Sequence, residues 1–433
     1  MSKDVLRASI RQLPVGQGGF LLGHIRDEHS HVFTYAFDCG SINREHFEQG
    51  LSFCPAGKID ILFVSHLDKD HINGIDALAA HMQIDTVILP CLDPLLVTMI
   101  ACEEIGEFGL TMSVQEFLAD PISWFADRGV KRIYYVQRAD DNTATLPFNP
   151  NSERSREDRI VPNEDGEHSD QNYTIRSEIV GTPRAGRNGR GIAQTIGQHS
   201  SISSNSSFGS PSWLLVPYVH PFPNEKIDLF REAVGKLLPR TFKSRDIAPR
   251  AFTKNLLEVL SVKEDRRKLK ACYRILSTDN NRPSLSLYSG PGGYYSNITT
   301  CSTDETMYWP SPCPHMRVQS SYGGYKNKGG AWLSTGDANL ETRETRAPWL
   351  ERFEHLIDNV NVFILPHHGS NDSIHDEIVM RMKGSTMVVC AASGRTKHPH
   401  ELLLGRLHTL DQSVWQVSEN AESGYTLNVY VSA

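Results

Sequence analysis

Apolar runs that stop abruptly at aspartate and histidine recur along this chain. Residues 6–38 alternate apolar and polar positions as LRASIRQLPV, GFLLGHI and HVFTYAFD, the period of two expected of half-buried strands. Between the first two, Val15-Gly16-Gln17-Gly18-Gly19 predicts a turn whose glycines allow positive φ and close backbone approach. Ile42–Gln49 predicts a short helix, Ile59–Ser65 a strand, Ile72–His81 a helix and Thr86–Pro90 a strand. Alternation of strand, loop and helix defines an α/β fold.

The texture changes near Leu95. Leu95–Phe108 and Ser113–Asp127 have helical periodicity, and Lys131–Val136 predicts a strand. Asp140–Ser212 is rich in Asn, Ser, Gly, Arg and Asp with little apolar periodicity. A loop of that length is unusual inside a compact domain, which predicts an inserted, partly flexible segment. Trp213–Val219 predicts a buried strand leading to His220, a packed or capping histidine. Lys226–Leu238 and Thr253–Leu276 predict helices, the second rich in basic residues. Strands follow at Ser284–Tyr288, Ala331–Thr335, Val360–Leu365 and Thr386–Ala391, with a Gly/Pro/Ser-rich excursion over Gly290–Gly330. A helix at Glu401–Leu410 and strands at Val414–Val417 and Tyr425–Val431 close the chain. The expected organisation is therefore residues 1–94 and 275–433 as two halves of one fold, with 95–274 inserted between them.

Composition narrows the classes. Hydrophobic residues make up 39% of 433 positions, and no apolar run is long enough to span a bilayer. The N-terminal MSKDVLRASI lacks the apolar core of a signal peptide, so a cytoplasmic location with no membrane partner is expected. Eight cysteines are scattered and never form a CxxC pair, which argues against a disulfide frame or a zinc ribbon. The formal net charge of −7 gives no global attraction to nucleic acid. Carboxylates that bind cations contribute to that figure, so it does not exclude such a partner.

The densest chemistry lies in FVSHLDKDHINGI, residues 63–75. Ile61 to Val64 run into Ser65, and His66, Asp68, Asp70 and His71 then fall within six residues. Imidazole and carboxylate ligate Zn²⁺, Mn²⁺ or Fe, and a strand that ends in a tight loop exposes them to solvent and metal. A single His or Asp there would be an ordinary polar turn; two of each are not. Asp38, Asp337, His367, His368, His398 and His400 likewise sit just past apolar strands. In a layered α/β fold such strand ends gather along one edge.

Taken in order, VGQG, FDCG, SHLDKDHINGI, STGD, LPHHGS and KHPH resemble the metallo-β-lactamase superfamily. The resemblance is closest to its branch containing the soluble hydrolase domain of ComEC DNA-uptake proteins, including NRPSLSLY at 281–288. It covers residues 5–95 and 275–431. It implies a four-layer αββα sandwich with two divalent metal ions, Mn or Zn, between the sheets. By motif, His66 and Asp68 would hold the first metal, Asp70 and His71 the second, and Asp337 would bridge them. One of His367 and His368 would complete the ligands of the second metal, and Asp38 would hold a ligand histidine from behind. The pattern departs from the superfamily in three places. Asp68 stands where most members have His, in agreement with the narrower branch. No histidine other than His220 is placed to supply a further ligand. Pro14, Gly19 and Arg395-Thr396-Lys397 replace family residues near the site.

A carboxylate-rich shell favours hard cations such as Mn²⁺. Two metals about 3.5–4 Å apart would activate a bridging hydroxide for attack on phosphorus. Asp70 would orient it. His398 would contact a phosphate oxygen or protonate the leaving group. Ser370 and Asn371 follow Gly369 at an expected helix start, where N–H groups favour an anion, and His400 is a further substrate contact or a helix cap. Three functions follow: a cytosolic nuclease acting on DNA, a small-molecule phosphodiesterase for a cyclic nucleotide or phosphocholine-type ester, or a metal-binding subunit docking a protein through 95–274.

Overall fold

The computed structural model describes residues 5–27, 32–91, 112–138, 159–160, 172–204, 212–220, 224–237, 249–277, 284–292, 297–303 and 329–432. They build two sheets, one of ten strands and one of nine. The ten-stranded sheet runs, edge to edge, Asn297–Thr303, Tyr425–Ser432, Val5–Gln12, Leu21–Arg26, Val32–Phe37, Gly57–Phe63, Met82–Pro90, Arg132–Val136, Ile192–Ile196 and Ile179–Ala185. The other runs Ser413–Val417, Thr386–Cys390, Val360–Ile364, Ala331–Ser334, Leu285–Pro291, Trp213–Val219, Ser201–Ser204, Tyr173–Arg176 and Arg159–Ile160. Each sheet has an antiparallel flank and a parallel block: Val32–Phe37 through Ile192–Ile196 in the first, Ser413–Val417 through Ala331–Ser334 in the second.

Three apolar clusters fix the layering. Ile10, Tyr35 and Phe63 of the first sheet meet Trp213, Leu215 and Val388 of the second between the sheets. Outside the first sheet, Ile84, Val87 and Leu89 pack with helical Leu78, Phe125, Phe230 and Leu269. Outside the second, Leu333, Phe363 and Val389 pack with helical Trp349, Phe353, Ile378 and Leu407. Strands covered on both faces must be apolar on both faces, which is why Asp60 is the lone acid inside Ile59–Phe63 and why ILF and VFI read as continuous runs. Each buried Leu- or Phe-sized side chain is worth about 1.5–3 kcal/mol, so it is these layers that press the two sheets together. No helix among the described residues is long and apolar enough to cross a membrane.

The expected loop at Asp140–Ser212 is corrected within its described part. Tyr173–Arg176 and Ser201–Ser204 join the nine-stranded sheet, while Ile179–Ala185 and Ile192–Ile196 extend the ten-stranded one. The stretch assigned to a flexible insertion thus supplies strands to both sheets. These strands are four to seven residues long and mostly half-exposed, so only Tyr173, Ile175, Ile196 and Ile202 reach the inter-sheet core. The expected excursion at Gly290–Gly330 includes another strand, Asn297–Thr303, paired with Tyr425–Ser432. Helix Thr253–Leu276 is two helices, Pro249–Ser261 and Lys263–Ser277. Helix Ile72–His81 is likewise split, into Lys69–Ile72 and Ile75–His81, because Asn73 turns aside to bond the Ser41 backbone and Gly74 N–H donates to the Cys39 carbonyl. The helix expected at Leu95–Phe108 lies outside the described residues.

Candidate metal centre

The parallel blocks place their C-terminal ends together, and the polar clusters sit there. Phe37 and Phe63 end neighbouring strands of one sheet, and Ser334, Ile364 and Cys390 end neighbouring strands of the other. The loops after them cross the gap between sheets. Ser65 carbonyl accepts from Leu285 N–H at 2.7 Å, which pins the first sheet's loop to the second sheet. Gly336, at φ 56°, lets the turn before Asp337 lie on Ser65; a Cβ there would come within 2.8 Å of the Ser65 Cβ. On the other side Gly18 abuts Asp70, whose carbonyl oxygen would be 2.8 Å from an added Cβ. The glycine turn predicted at residues 15–19 is therefore the floor under the acidic loop.

Asp38 sits at the centre of the support. At φ 59° it leaves the strand in a left-handed turn. Its Oδ1 accepts from Ser65 N–H at 2.7 Å, and its Oδ2 accepts from Ser65 Oγ at 2.7 Å and from His71 Nδ1 at 2.8 Å. Because Ser65 gives its hydroxyl hydrogen to Asp38, the 2.8 Å contact from Ser65 Oγ to His66 Nδ1 must be donated by the imidazole. His368 Nδ1 lies 2.8 Å from the Cys390 carbonyl, which can only accept. Three imidazoles therefore share one tautomer. Each spends Nδ1–H outward and turns Nε2 inward, where it can meet a cation or carry a proton.

The inward nitrogens converge on Asp337, which is 4% exposed. Its two oxygens face different partners. Oδ2 is 3.7 Å from His66 Nε2 and 3.9 Å from His367 Nε2. Oδ1 is 3.5 Å from His71 Nε2 and 3.9 Å from His368 Nε2. Asp68 Oδ2 lies 3.4 Å from His66 Nε2, and Asp70 Oδ2 lies 3.2 Å from His368 Nε2. Most of these separations are too long for ordinary hydrogen bonds. They straddle the spacing of ligand atoms on a shared cation, which at bond lengths of about 2.0–2.2 Å in tetrahedral geometry sit about 3.3–3.6 Å apart. Two groups, His66/His71/Asp337 and Asp70/His71/His368, bring their ligand atoms within 4.8 Å of one another.

The charges on these groups act strongly on one another. Burial pushes the Asp337 carboxyl up, yet His368, His66, His367 and His71 together hold it well below the usual carboxylate range. Asp70 is also lowered, burial being outweighed by His368 and His71. Burial pulls His71 down, but Asp38 and Asp337 raise it well above its ordinary value, and Asp337 and Asp70 raise His368. Buried carboxylates of this density require cations, and the donor set fits a divalent metal as well as it fits protons.

Other predicted residues fall around this centre. The His398 ring is 5.3 Å from that of His367 and 6.1 Å from that of His368, with Nδ1 buried and without a hydrogen-bond partner. Burial, reinforced by His367 and His368, lowers it to about 4, so the ring is neutral near pH 7. His400 Nδ1 accepts from Leu402 N–H at 3.2 Å and caps helix Glu401–Thr409. The helix start expected at Ser370 is corrected. Pro366–Gly369 is a single tight turn in which His367, His368 and Gly369 all have positive φ, and the next helix begins at Asp376, capped by His375. Ser370 therefore offers no helix terminus, and Asn371 Nδ2 bonds Asp372. His220 does not join the centre: it is fully buried, its Nε2 bonds Ser286 Oγ at 2.6 Å, and burial lowers it to about 3. Residues that the sequence reading passed over include Ser65 and Ser284, whose Oγ accepts from Asp337 N–H at 3.1 Å. For Ser65 the available signal was its place between the apolar run Ile61–Val64 and His66.

No family model and no curated protein matches the chain. Among solved structures, a long-form RNase Z from yeast is similar at 8% sequence identity with a TM-score of 0.27, covering 83% of this chain. The chain spans 32% of that protein's length, and a likeness this low carries no argument about fold or activity.

Proposed function

We propose that the chain is a metal-dependent phosphodiester hydrolase of the metallo-β-lactamase fold, acting as a nuclease with DNA as its substrate. The observation that carries this reading is the pair of Asp337 oxygens, each facing imidazole Nε2 atoms, with the Nδ1 positions of His66, His71 and His368 bonded behind them. His66, Asp68, His367 and Asp337 Oδ2 would hold one divalent cation, and Asp70, His71, His368 and Asp337 Oδ1 a second. For the second cation we take His368 of the pair, because its Nε2 is 3.2 Å from Asp70 Oδ2, which leaves His367 beside the first. Manganese or zinc suits a set with this many carboxylates. Such cations polarise phosphate oxygens and make water a competent nucleophile near neutral pH.

The protein's own groups supply the rest. Asp38 and Ser65 hold His66 and His71 in one tautomer, so that no rearrangement is needed when charge develops. Asp70 orients the attacking water. Neutral His398 donates an N–H hydrogen bond to a non-bridging phosphate oxygen beside His367, and only its imidazolium form could protonate the leaving oxygen. Ser370 and Asn371, in the turn after the histidine pair, border the approach, and His400 has Nε2 left for a substrate contact.

The test is hydrolysis of single- and double-stranded DNA and RNA, and of bis(p-nitrophenyl) phosphate, in Mn²⁺ and Zn²⁺, with Asp337→Ala as the control. Metal-dependent cleavage that disappears in Asp337→Ala is expected. Cleavage of none of these diesters in any divalent metal overturns the reading.

A further inference from the structure

The loop that leads into His398 carries two cations for which the metal centre has no use. Ser393 to Lys397 is held at both ends and free between them. At its start Ser393 N–H donates to Glu419 Oε2 at 2.9 Å, and Ala392 packs against the glycine floor at Gly16. At its end His398 lies beside His367, and His400 N–H donates to the Gly369 carbonyl at 2.9 Å. Arg395, Thr396 and Lys397 are all exposed. Among the described residues neither Arg395 nor Lys397 makes an ion pair or a hydrogen bond. Most basic residues near carboxylates elsewhere are engaged, as Lys58 is with Asp85, Arg128 with Asp76, Arg346 with Glu377 and Arg406 with Asp376. Across the centre, in the acidic loop itself, Lys69 is exposed between Asp68 and Asp70 and is likewise unengaged.

The acids nearest the basic loop do not answer it. Glu419 is spent on the Ser393 backbone, and Glu401 opens the following helix. Two uncompensated cations within three residues of His398 are therefore presented beside a centre that would hold a phosphodiester. A small diester has one phosphate, which the centre itself would bind. Exposed cations on the loop beside His398 suit phosphates that flank the scissile one.

We infer that Arg395 and Lys397 form a subsite for flanking phosphates of a nucleic-acid strand, so that the substrate is a polymer and not an isolated diester. This deepens the hydrolase reading and rests on it for the identity of the scissile bond. The shared chemistry is a sugar–phosphate backbone, which DNA and RNA both supply.

The test is direct binding, read by fluorescence anisotropy with metal-loaded protein and hydrolysis-resistant strands of about 20 nucleotides: phosphorothioate DNA in one arm and 2′-O-methyl RNA in the other. Removing two phosphate contacts should lower the magnitude of the salt slope of log K by about 1.4 for a single strand. Arg395→Gln/Lys397→Gln should show that drop and bind about tenfold more weakly near 0.1 M salt. Arg395→Lys/Lys397→Arg should restore both. Arg381→Gln/Lys383→Gln, which removes the same charge before strand Thr386–Cys390 and so at its far end from the centre, should leave both unchanged. Equal changes in the two neutralised variants, no change in either, or no binding of either strand by the native protein would each overturn the inference. Because nothing in this assay depends on turnover, failure of the hydrolase reading is registered separately, by the cleavage experiment.

Discussion

The two ends of the central parallel strands both carry buried acids, and they handle them in opposite ways. At the N-terminal end Lys58 Nζ is 2.7 Å from Asp85 Oδ2 and 3.1 Å from Asp60 Oδ1, and Lys131 Nζ is 3.2 Å from Asp85 Oδ1. Asp60 also accepts from Thr34 N–H at 2.8 Å. The charges there close on one another at hydrogen-bond distance. At the C-terminal end Asp68, Asp70 and Asp337 face imidazoles, mostly at 3.4–3.9 Å. Lysine donates from a flexible stem and can close any gap. An imidazole whose Nδ1 is already bonded cannot follow its partner, so the gap remains where a cation fits. The comparison separates acids closed on lysines from acids set among imidazoles, without reference to any relative.

Asp337→Ala should produce the largest change. It removes the group that faces both imidazole pairs, so metal content measured by inductively coupled plasma mass spectrometry should fall from two equivalents to less than one, and phosphodiester hydrolysis should fall by about a thousandfold or more. Full metal retention would erase the distinction between the two ends. Chelation should come next. A cation present at about a hundred times its dissociation constant stabilises the native state by about 2.7 kcal/mol, so removing it with EDTA should lower the melting temperature by a few degrees. The same treatment of Asp337→Ala should shift it far less.

Asp38→Asn ranks third. The amide can still accept from Ser65 N–H, but it no longer carries the charge that holds His71 Nδ1–H, and loss of such a partner costs about 10–100-fold in metal affinity or activity. A metal titration by calorimetry reads this directly. An affinity within twofold of native would mean that His71 is oriented by packing alone.

How much of this could be read without coordinates follows from the same physics. The ligand-bearing strand ends were legible because Ile61–Val64, Val360–Leu365 and Thr386–Ala391 are covered on both faces, so their apolar runs end sharply where the polar chemistry begins. Most of the residues that the structure gathers there were among those named from that signal. The marginal strands were not legible. Tyr173–Arg176 and Ser201–Ser204 present one or two core residues each among serines, threonines and arginine, a pattern that composition cannot separate from a loop. Nor was the turn at Pro366–Gly369 legible. Consecutive positive φ at His367 and His368 runs against the preference of any non-glycine residue, and only the surrounding contacts impose it. That turn decides which histidine faces which oxygen of Asp337, and so it is also what sequence left open.

The smallest expected effect belongs to the other end of the strands and is the control for all the rest. Asp85→Asn removes a carboxylate gripped by Lys58 and Lys131, whose side chains are 36% and 61% exposed. Solvent screening at such exposure limits the loss to about 1 kcal/mol or less. Metal content and hydrolysis should not change. The pH dependence has a definite sign. Although burial raises the Asp85 carboxyl, Lys58 lowers it further, so its net position is below the ordinary aspartate value. A carboxyl lowered in the folded state binds its proton more readily when unfolded, so its stabilisation is complete above the ordinary value near about 4 and is lost as pH falls through the lower folded value. Urea unfolding at neutral pH should therefore distinguish Asp85→Asn from native protein, and at sufficiently acid pH the two should converge. If instead the variant lost metal, the closed cluster and the open one would be parts of a single network along the strands, and the separation between the two ends would have to be abandoned.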